Sequence, residues 1–434
     1  MKKIGILTIM LALLTLGCED YLDKAPYDII TDDIVITTAD DAETVLLGAY
    51  SALQSADAYG NQIVGTTGTL SDELVHTGSF PTVAEFDNNA VLSNNVTLQN
   101  LWAAFYAGIY RTNVIIERIE TIKDIDSNTK NRILGESKFL RALMHFDLVK
   151  LFGGIPYALT PDLTTLRTID RTAVDVVYTN IITELNESVT LLAGVDQGNN
   201  KRANQWVAKA MLARVLLYSG NKSQAGVVAN DVIENSPYSL EANYADVFKG
   251  NSDEVLFEVF FSVQDQNSMA FWFRVDGRYE YGPSPQIQAA FEPGDERAVM
   301  VAPVGDGRFQ VAKYTDRATG TDQTVVLRLA EMYLIRAEAN IGSAQADDDV
   351  NTIRNRAGLT NISGVTLDDI LQERFVELCF EGHRWTDLTR TGKADEVMSV
   401  INPLTWQSTD VLMPIPQREI QQNPTLVGKQ NPGY

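Results

Sequence analysis

Apolar residues recur every three or four positions along much of this chain, which is the spacing of one face of an α-helix. Thr38 provides a polar start to the first such pattern, and Gly153 with Pro156 ends the third. Four long patterns follow one another in the first half of the chain: 38–54, 101–122, 130–152 and 171–192. The spacing therefore predicts a mostly α-helical protein.

Two later stretches each contain a pair of helical patterns separated by a glycine. The first pair covers 204–219 and 222–235, and the second covers 325–341 and 344–357. Hairpins of roughly 34 residues with small residues at the helix contacts are typical of tetratricopeptide repeats. The first helix of each pair carries such small residues at close spacing: Ala208, Ala213, Gly220, Ala330, Ala337 and Gly342.

Two stretches lack this helical period, and we expect them to interrupt the repeats as insertions. The stretch near 55–100 is rich in Gly, Thr, Asn and Asp, which predicts a long loop region. The stretch 238–322 contains strand-like and loop-like patches. Because long ordered loops on a compact domain commonly carry function, we expect a ligand site there.

The first twenty residues have the pattern of a secretory signal. Lys2 and Lys3 precede an uncharged apolar run over 4–16, which is too short to span a bilayer comfortably. Gly17 directly before Cys18 has the form of a lipoprotein cleavage site. We therefore expect Cys18 to become the lipidated first residue, the alternative being an ordinary signal peptide with a chance cysteine.

This interpretation divides the chain into a signal peptide over 1–17 and a single domain over 18–434, which begins with an acidic tether over 18–37. The whole chain has 35 basic and 57 acidic residues, a formal net charge of −22. Such a charge disfavours binding to nucleic acid and adsorption to anionic lipid. Cys379 has no disulfide partner once Cys18 is lipidated, and its apolar helical context predicts a buried, inert thiol.

Motifs for catalysis or cofactor binding are missing from the sequence. It has no Gly-x-Ser-x-Gly elbow and no Walker loop, and His76, His145 and His383 are scattered without metal-ligand spacing. The acidic run 347–349 fits the first turn of a helix better than a calcium loop. We expect no catalytic residue, metal or cofactor, although a glycosidase carboxylate pair could form from any two of the acidic residues.

The C-terminal part carries the most distinctive motif, ILQERFVELCFEGHRWTDLTR over 370–390. Shorter motifs accompany it along the chain: CEDYLD over 18–23, FLRA over 139–142, FGGIP over 152–156, RNRAGL over 354–359, PIP over 414–416 and NPGY over 431–434. Together they resemble the SusD-like (RagB/SusD) family of surface nutrient-binding lipoproteins.

The resemblance implies a mostly helical fold with about four tetratricopeptide-like helix pairs as the scaffold and irregular insertions as the ligand face. It implies a lipid-anchored protein on the outside of the outer membrane, and Glu19-Asp20 is similar to the family's surface-export signal. It also implies a SusC-like TonB-dependent transporter as the partner.

Charged residues of the long C-terminal motif are interpreted as fold determinants. Glu373, Arg374, Glu377 and Arg384 have helical spacings that allow ion pairs. Gly382 can adopt the left-handed conformation that ends a helix.

A sugar site combines aromatic faces with polar groups for the hydroxyl edges, and two segments in the insertions have this mixture. Alternation along the second segment places Trp272 and Arg274 on one side and Phe271 and Phe273 on the other, and we expect the Trp272 side to be exposed. The segments 72–80 and 271–281 supply the candidate ligand contacts: Trp272, Arg274, Tyr279, Asp72, Glu73, His76 and Phe80.

The sequence therefore predicts a non-catalytic surface protein that binds a glycan and delivers it to a SusC-like transporter. Three alternatives remain open. The protein could capture peptides, it could be a surface glycosidase with two carboxylates about 5–9 Å apart, or it could be a lid with no ligand of its own.

Overall fold

The computed structural model describes residues 36–195 and 199–434, and Cys18 and the signal peptide lie outside them. The described part is mostly helical, as predicted. Its helices are α1 (Ala39–Gln54), α2 (Gln62–Leu70), α3 (Pro81–Asp87), α4 (Val96–Arg118), α5 (Ser127–Phe152), α6 (Leu163–Leu166), α7 (Val174–Leu191), α8 (Gln205–Tyr218), α9 (Lys222–Asn235), α10 (Met269–Phe273), α11 (Pro285–Ala290), α12 (Leu329–Ala339), α13 (Ala344–Arg356), α14 (Leu367–Glu377), α15 (Arg384–Arg390), α16 (Ala394–Ile401) and α17 (Gln417–Gln422).

The strands of the described residues are short and form four separate antiparallel pairs. In chain order they are β1 (Leu74–His76), β2 (Ile155–Pro156), β3 (Arg171–Thr172), β4 (Val255–Val259), β5 (Tyr281–Pro283), β6 (Val301–Pro303), β7 (Phe309–Val311) and β8 (Thr324–Arg328). The pairs are β1 with β5, β2 with β3, β4 with β8, and β6 with β7.

The helical scaffold is a row in which each helix packs against the next: α1, α4, α5, α7, α8, α9, α12 and α13. Taken two at a time, these helices form the four tetratricopeptide-like pairs that the sequence resemblance implies. Gly220 and Gly342 have φ of +85° and +87° directly after α8 and α12. Glycine adopts this left-handed conformation without the steric cost of a Cβ, so the backbone can reverse into the second helix.

The prediction of a loop near 55–100 is wrong in part, because this insertion contains α2, β1 and α3. Helix α2 is buried along almost its whole length, and its glycines permit the close packing. A Cβ at Gly68 would lie 2.4 Å from Leu74, and one at Gly65 would lie 2.8 Å from Tyr281. The Thr67 hydroxyl donates to the Ile63 carbonyl at 2.6 Å, so a polar sequence fits into an apolar environment.

Glu377, at the end of α14, lies at the centre of a buried network of ion pairs. Its carboxylate accepts hydrogen bonds from Arg328 at 2.5 Å, from Arg297 at 3.1 Å and from Arg356. Burial alone would raise the pKa of Glu377, but Arg356, Arg328 and Arg297 together lower this pKa far below its usual range. Glu254 balances further charge by accepting from Arg328 at 2.9 Å.

The other charged residues of the C-terminal motif also pair across the fold and not along one helix. Arg374 contacts Asp387 at 2.7 Å, Arg384 contacts Asp72 at 2.6 Å, and Glu373 pairs with Arg297. These contacts connect separate elements. The interpretation as fold determinants therefore agrees with the geometry, while the partners differ from those the helical spacing indicated.

The remaining candidate chemistry of the sequence is also structural. Asp347 accepts hydrogen bonds from the backbone amides of Gly364 at 2.9 Å and Val365 at 2.8 Å, so it fixes the next turn. Within the described residues, no group of His, Cys, Asp and Glu is arranged to hold a metal ion. Cys379 is fully buried, and burial raises the pKa of its thiol to about 12.

We expect replacement of Glu377 by alanine to lower the free energy of unfolding by about 3–5 kcal/mol, because it leaves buried arginines without their shared counter-charge. Chemical denaturation measures this change. Glu187→Ala is the matched control, since Glu187 forms a half-exposed pair with Lys138 at 2.7 Å and should cost less than about 1 kcal/mol. Equal effects of the two substitutions would contradict the central role of Glu377.

Candidate ligand-binding site

The two segments that the sequence singled out, 72–80 and 271–281, are neighbours in the structure. Strand β1 pairs with β5, so that Leu74 faces Pro283 and His76 faces Tyr281. The Thr77 hydroxyl also donates to the Tyr279 carbonyl at 2.6 Å. One face of the protein is therefore built jointly from the first and the second insertion.

Glu280 fixes the loop that connects β1 to α3. Its fully buried carboxylate accepts hydrogen bonds from the backbone amides of Ser79 at 3.0 Å and Phe80 at 2.6 Å, and it lies 2.9 Å from His76 Nε2. Burial alone would raise the pKa of Glu280, but the bonds from Phe80, His76 and Arg278 lower it below its usual value. A Cβ at Gly78 would lie 2.1 Å from this carboxylate, so only glycine fits there.

Three aromatic side chains lie next to one another on this face, and we call them the aromatic patch: Phe80, Phe271 and Trp272. The ring centroid of Trp272 lies 5.8 Å from that of Phe80 and 5.2 Å from that of Phe271. Phe80 is 39% exposed and Phe271 is 43% exposed, whereas Trp272 is half-buried between them. The patch therefore offers apolar ring surface to a ligand.

Arginine side chains surround the aromatic patch. The guanidinium of Arg278 lies 4.2 Å from the ring centroid of Phe80, and that of Arg317 lies 5.7 Å from the centroid of Phe271. Arg274 pairs with Asp276 at 3.2 Å. An arginine guanidinium has several N–H donors, so it can bind ligand hydroxyls while it stacks on an aromatic ring. The arrangement combines flat apolar surface with donors at its edge.

The Tyr279 side chain mainly stabilises this face from within the protein and adds little surface for a ligand. Its hydroxyl donates to the Phe309 carbonyl at 2.6 Å, and Arg308 lies 5.4 Å from the centre of its ring. Its φ of +53° is in the left-handed region, which is uncommon for a residue with a large side chain. The turn before β5 therefore places Tyr279 as a half-buried contact between β5 and β7.

Asp72 and Glu73 are buried, and we remove both from the candidate ligand face. Both carboxylate oxygens of Asp72 accept hydrogen bonds from Arg384, at 2.6 and 2.7 Å. Glu73 accepts from the Phe380 amide at 2.9 Å. These partners attach the segment that leads into β1 to the turn after α14, through Phe380, and to the start of α15, through Arg384, so the two acids stabilise the fold. His76 is also largely covered, with 14% of its side chain exposed.

The expectation that the Trp272 side is the exposed one is also corrected. Residues 269–273 form the short helix α10, so side chains do not alternate between two faces as they do in a strand. Phe271 is exposed and Phe273 is fully buried, although the sequence analysis placed them on the same side. Phe271, Arg278 and Arg317 are thus additional candidate residues, which the sequence analysis did not select.

The tryptophans that were expected to pack inside the protein do so to different degrees. Trp385 and Trp102 are almost fully buried. Trp206 is half-buried, with the ammonium of Lys209 4.3 Å from its ring centroid. None of these three tryptophans belongs to the aromatic patch.

The chain matches two family models, one over residues 20–217, described as "Starch-binding associating with outer membrane", and one over residues 300–434, described as "SusD family". SusD-like protein P2 of Formosa agariphila is 28% identical, and the match covers 100% of both chains. A SusD-like protein of Bacteroides ovatus is 25% identical, with 87% of this chain and 80% of that one covered.

Solved structures have the same fold. A laminarin-binding SusD-like protein is 25% identical and has a TM-score of 0.83, with 92% of this chain and 100% of that chain covered. Surface glycan-binding protein A of Bacteroides thetaiotaomicron, solved with laminarihexaose, is 22% identical with a TM-score of 0.80. That match covers 91% of this chain and 100% of the other. In the described residues, no helix combines the length and apolar character of a bilayer span.

The buried carboxyl group of Glu73 predicts a specific pH dependence of stability. Burial raises its pKa to about 8, and the bond from Phe380 and the charge of Lys313 only partly oppose this. Because the folded state holds this proton more tightly than the unfolded state, the stabilisation is present at low pH and is lost as pH rises through about 8.

We therefore expect the unfolding free energy of wild type to fall, relative to Glu73→Gln, by on the order of a few kcal/mol between pH 5 and pH 9. Glutamine matches the neutral acid in shape and does not ionise. Denaturant titrations of both proteins at pH 5, 7 and 9 measure the difference. Parallel pH profiles would show that Glu73 ionises normally.

Proposed function

Since this chain belongs to the SusD-like family, we propose that it is a surface lipoprotein that binds a glycan and passes it to a SusC-like TonB-dependent transporter without cleaving it. The family is one of starch- and glycan-binding proteins associated with the outer membrane. The laminarin-binding relative with the same fold supports a glycan as the ligand.

The aromatic patch is the single observation that carries this proposal. The Trp272 ring centroid lies 5.8 Å from that of Phe80 and 5.2 Å from that of Phe271, and folding leaves both phenylalanines partly uncovered. Pyranose rings have apolar faces that stack on aromatic rings, and their hydroxyl edges accept hydrogen bonds. Arg278 lies beside Phe80 and can provide such donors.

The carboxylates near the patch favour binding without hydrolysis. Glu280 is fully buried and already accepts the Ser79 and Phe80 amides. Asp276 is paired with Arg274 at 3.2 Å and with Arg317 at 3.8 Å. A glycosidase needs one acid and one base or nucleophile that both face the scissile bond. These two carboxylates are instead engaged in holding the site together.

We expect Phe271→Ala, Phe80→Ala and Trp272→Ala each to weaken glycan binding tenfold to hundredfold, or about 1–3 kcal/mol, because each removes stacking surface. Calorimetric titration measures this, with laminarin as the first probe and a panel of other polysaccharides as the second. Phe271→Ala should leave the melting temperature nearly unchanged, since the side chain is exposed.

Leu404→Ala serves as the control, because Leu404 is 97% exposed and lies outside the patch. Unchanged affinity in all three aromatic variants would place the ligand elsewhere on the protein. Cleaved products after incubation with the bound polysaccharide would instead support a glycosidase. Binding of peptides but of no glycan would support peptide capture.

The proposed lipid anchor is tested at Cys18, which lies outside the described residues. We expect wild type to carry an acyl mass at its N-terminus and Cys18→Ala to appear in the soluble fraction. Mass spectrometry and membrane fractionation measure these two outcomes. Protease added to intact cells should degrade the wild-type protein. Protection until the outer membrane is broken would contradict a location on the cell surface.

A further inference from the structure

A second cavity lies between α1 and β4, and it shares no residue with the aromatic patch. Its volume is about 190 Å³, and its walls include Tyr50 and Gln54 of α1, Lys201 from the segment before α8, and Glu258 and Phe260 at the end of β4. A space of this size can hold several water molecules. It therefore suits one small ring and not an extended chain.

Glu258 is the unusual group in this cavity. Only 3% of the residue is exposed, yet within the described residues its carboxylate has no hydrogen bond or ion pair. Burying a charged group without a partner is costly, and elsewhere in this fold buried acids such as Glu377 are fully paired. Burial raises the pKa of Glu258 to about 7, and the charge of Lys201 only partly opposes this.

Some of the other polar groups around the cavity are already bound to protein partners, and others are available to a ligand. Arg202 is engaged by Glu136, with contacts at 2.8 and 3.0 Å, and the Tyr50 hydroxyl donates to the same Glu136 at 2.7 Å. The Lys201 ammonium lies 4.0 Å from the ring centroid of Phe260, and no carboxylate of the described residues lies within ion-pair distance of it. One carboxyl group and one ammonium group are thus available to a ligand.

We propose that this cavity is a second saccharide site that binds a single neutral sugar ring. Ligand hydroxyls donate to Glu258 and accept from Lys201, and the apolar face of the ring packs against Phe260. A neutral ligand is favoured because an acidic one would face the Glu258 carboxyl group and a basic one would face the Lys201 ammonium group. Because this site and the aromatic patch have no residue in common, each proposal can be tested independently of the other.

Ligand binding in the cavity can be followed by NMR, because methyl groups of Leu47, Leu53 and Val259 line it. In protein labelled with ¹³C at Leu and Val methyls, we expect one of three probes, D-glucose, D-galactose or D-mannose, to shift these resonances saturably at millimolar concentration. Glu258→Gln keeps the shape of the side chain and should weaken that response at least tenfold. Lys201→Met should weaken the response as well, and this variant provides the test if Glu258→Gln does not fold.

Phe271→Ala should leave the response of these methyls unchanged, because it alters the aromatic patch alone. Lys249→Met is the control for loss of a lysine charge, since Lys249 is 70% exposed and pairs with Asp246. The proposal is overturned if none of the three sugars gives a saturable shift, if Glu258→Gln and Lys201→Met both bind like wild type, or if Phe271→Ala abolishes the response. Failure of polysaccharide binding at the aromatic patch would leave these outcomes unaffected.

Discussion

The carboxylate of Glu377 connects parts of the chain that are distant in sequence, and the rest of the fold depends on it. Arg297 belongs to the second insertion, Arg328 ends β8, and Arg356 ends α13. Their guanidinium groups converge on one buried acid. Arg297 also pairs with Asp295 of its own insertion at 2.8 Å, but its contact with Glu377 requires the insertion and the scaffold to be both in place, so the network favours a single arrangement of the two.

The arrangement of the insertion on the scaffold also determines where the ligand face lies. The second insertion is held at its base by the pairing of β4 with β8 and by Arg297, and β5 then adds to β1 of the first insertion. Asp72 and Arg384 attach the first insertion to the start of α15. The aromatic patch is therefore supported from both insertions, and its rings occupy fixed positions relative to the helical scaffold.

The long helices could be predicted from sequence because their apolar period extends over four or more turns, as in α4 and α5. The composition of 72–80 and 271–281 also singled out two segments that the structure brings together by pairing β1 with β5. Sequence reasoning failed where the outcome depends on distant partners. Asp72 resembles a ligand contact until Arg384 is known to lie beside it, and a five-residue helix such as α10 is too short to reveal which of Phe271 and Trp272 faces outward.

Gly78 and Glu280 fix the backbone of the ligand face, whereas other residues provide the side chains that a ligand would contact. The backbone after β1 is held by the buried Glu280 carboxylate, which Arg278 contacts at 3.2 Å, and by a glycine that tolerates no side chain. The side chains of Phe80 and Phe271, in contrast, reach outward without supporting that backbone. Specificity can therefore be changed at the two outward positions while the loop keeps its path. An engineer who wants a new ligand preference should diversify positions 80 and 271 and leave 78, 278 and 280 untouched.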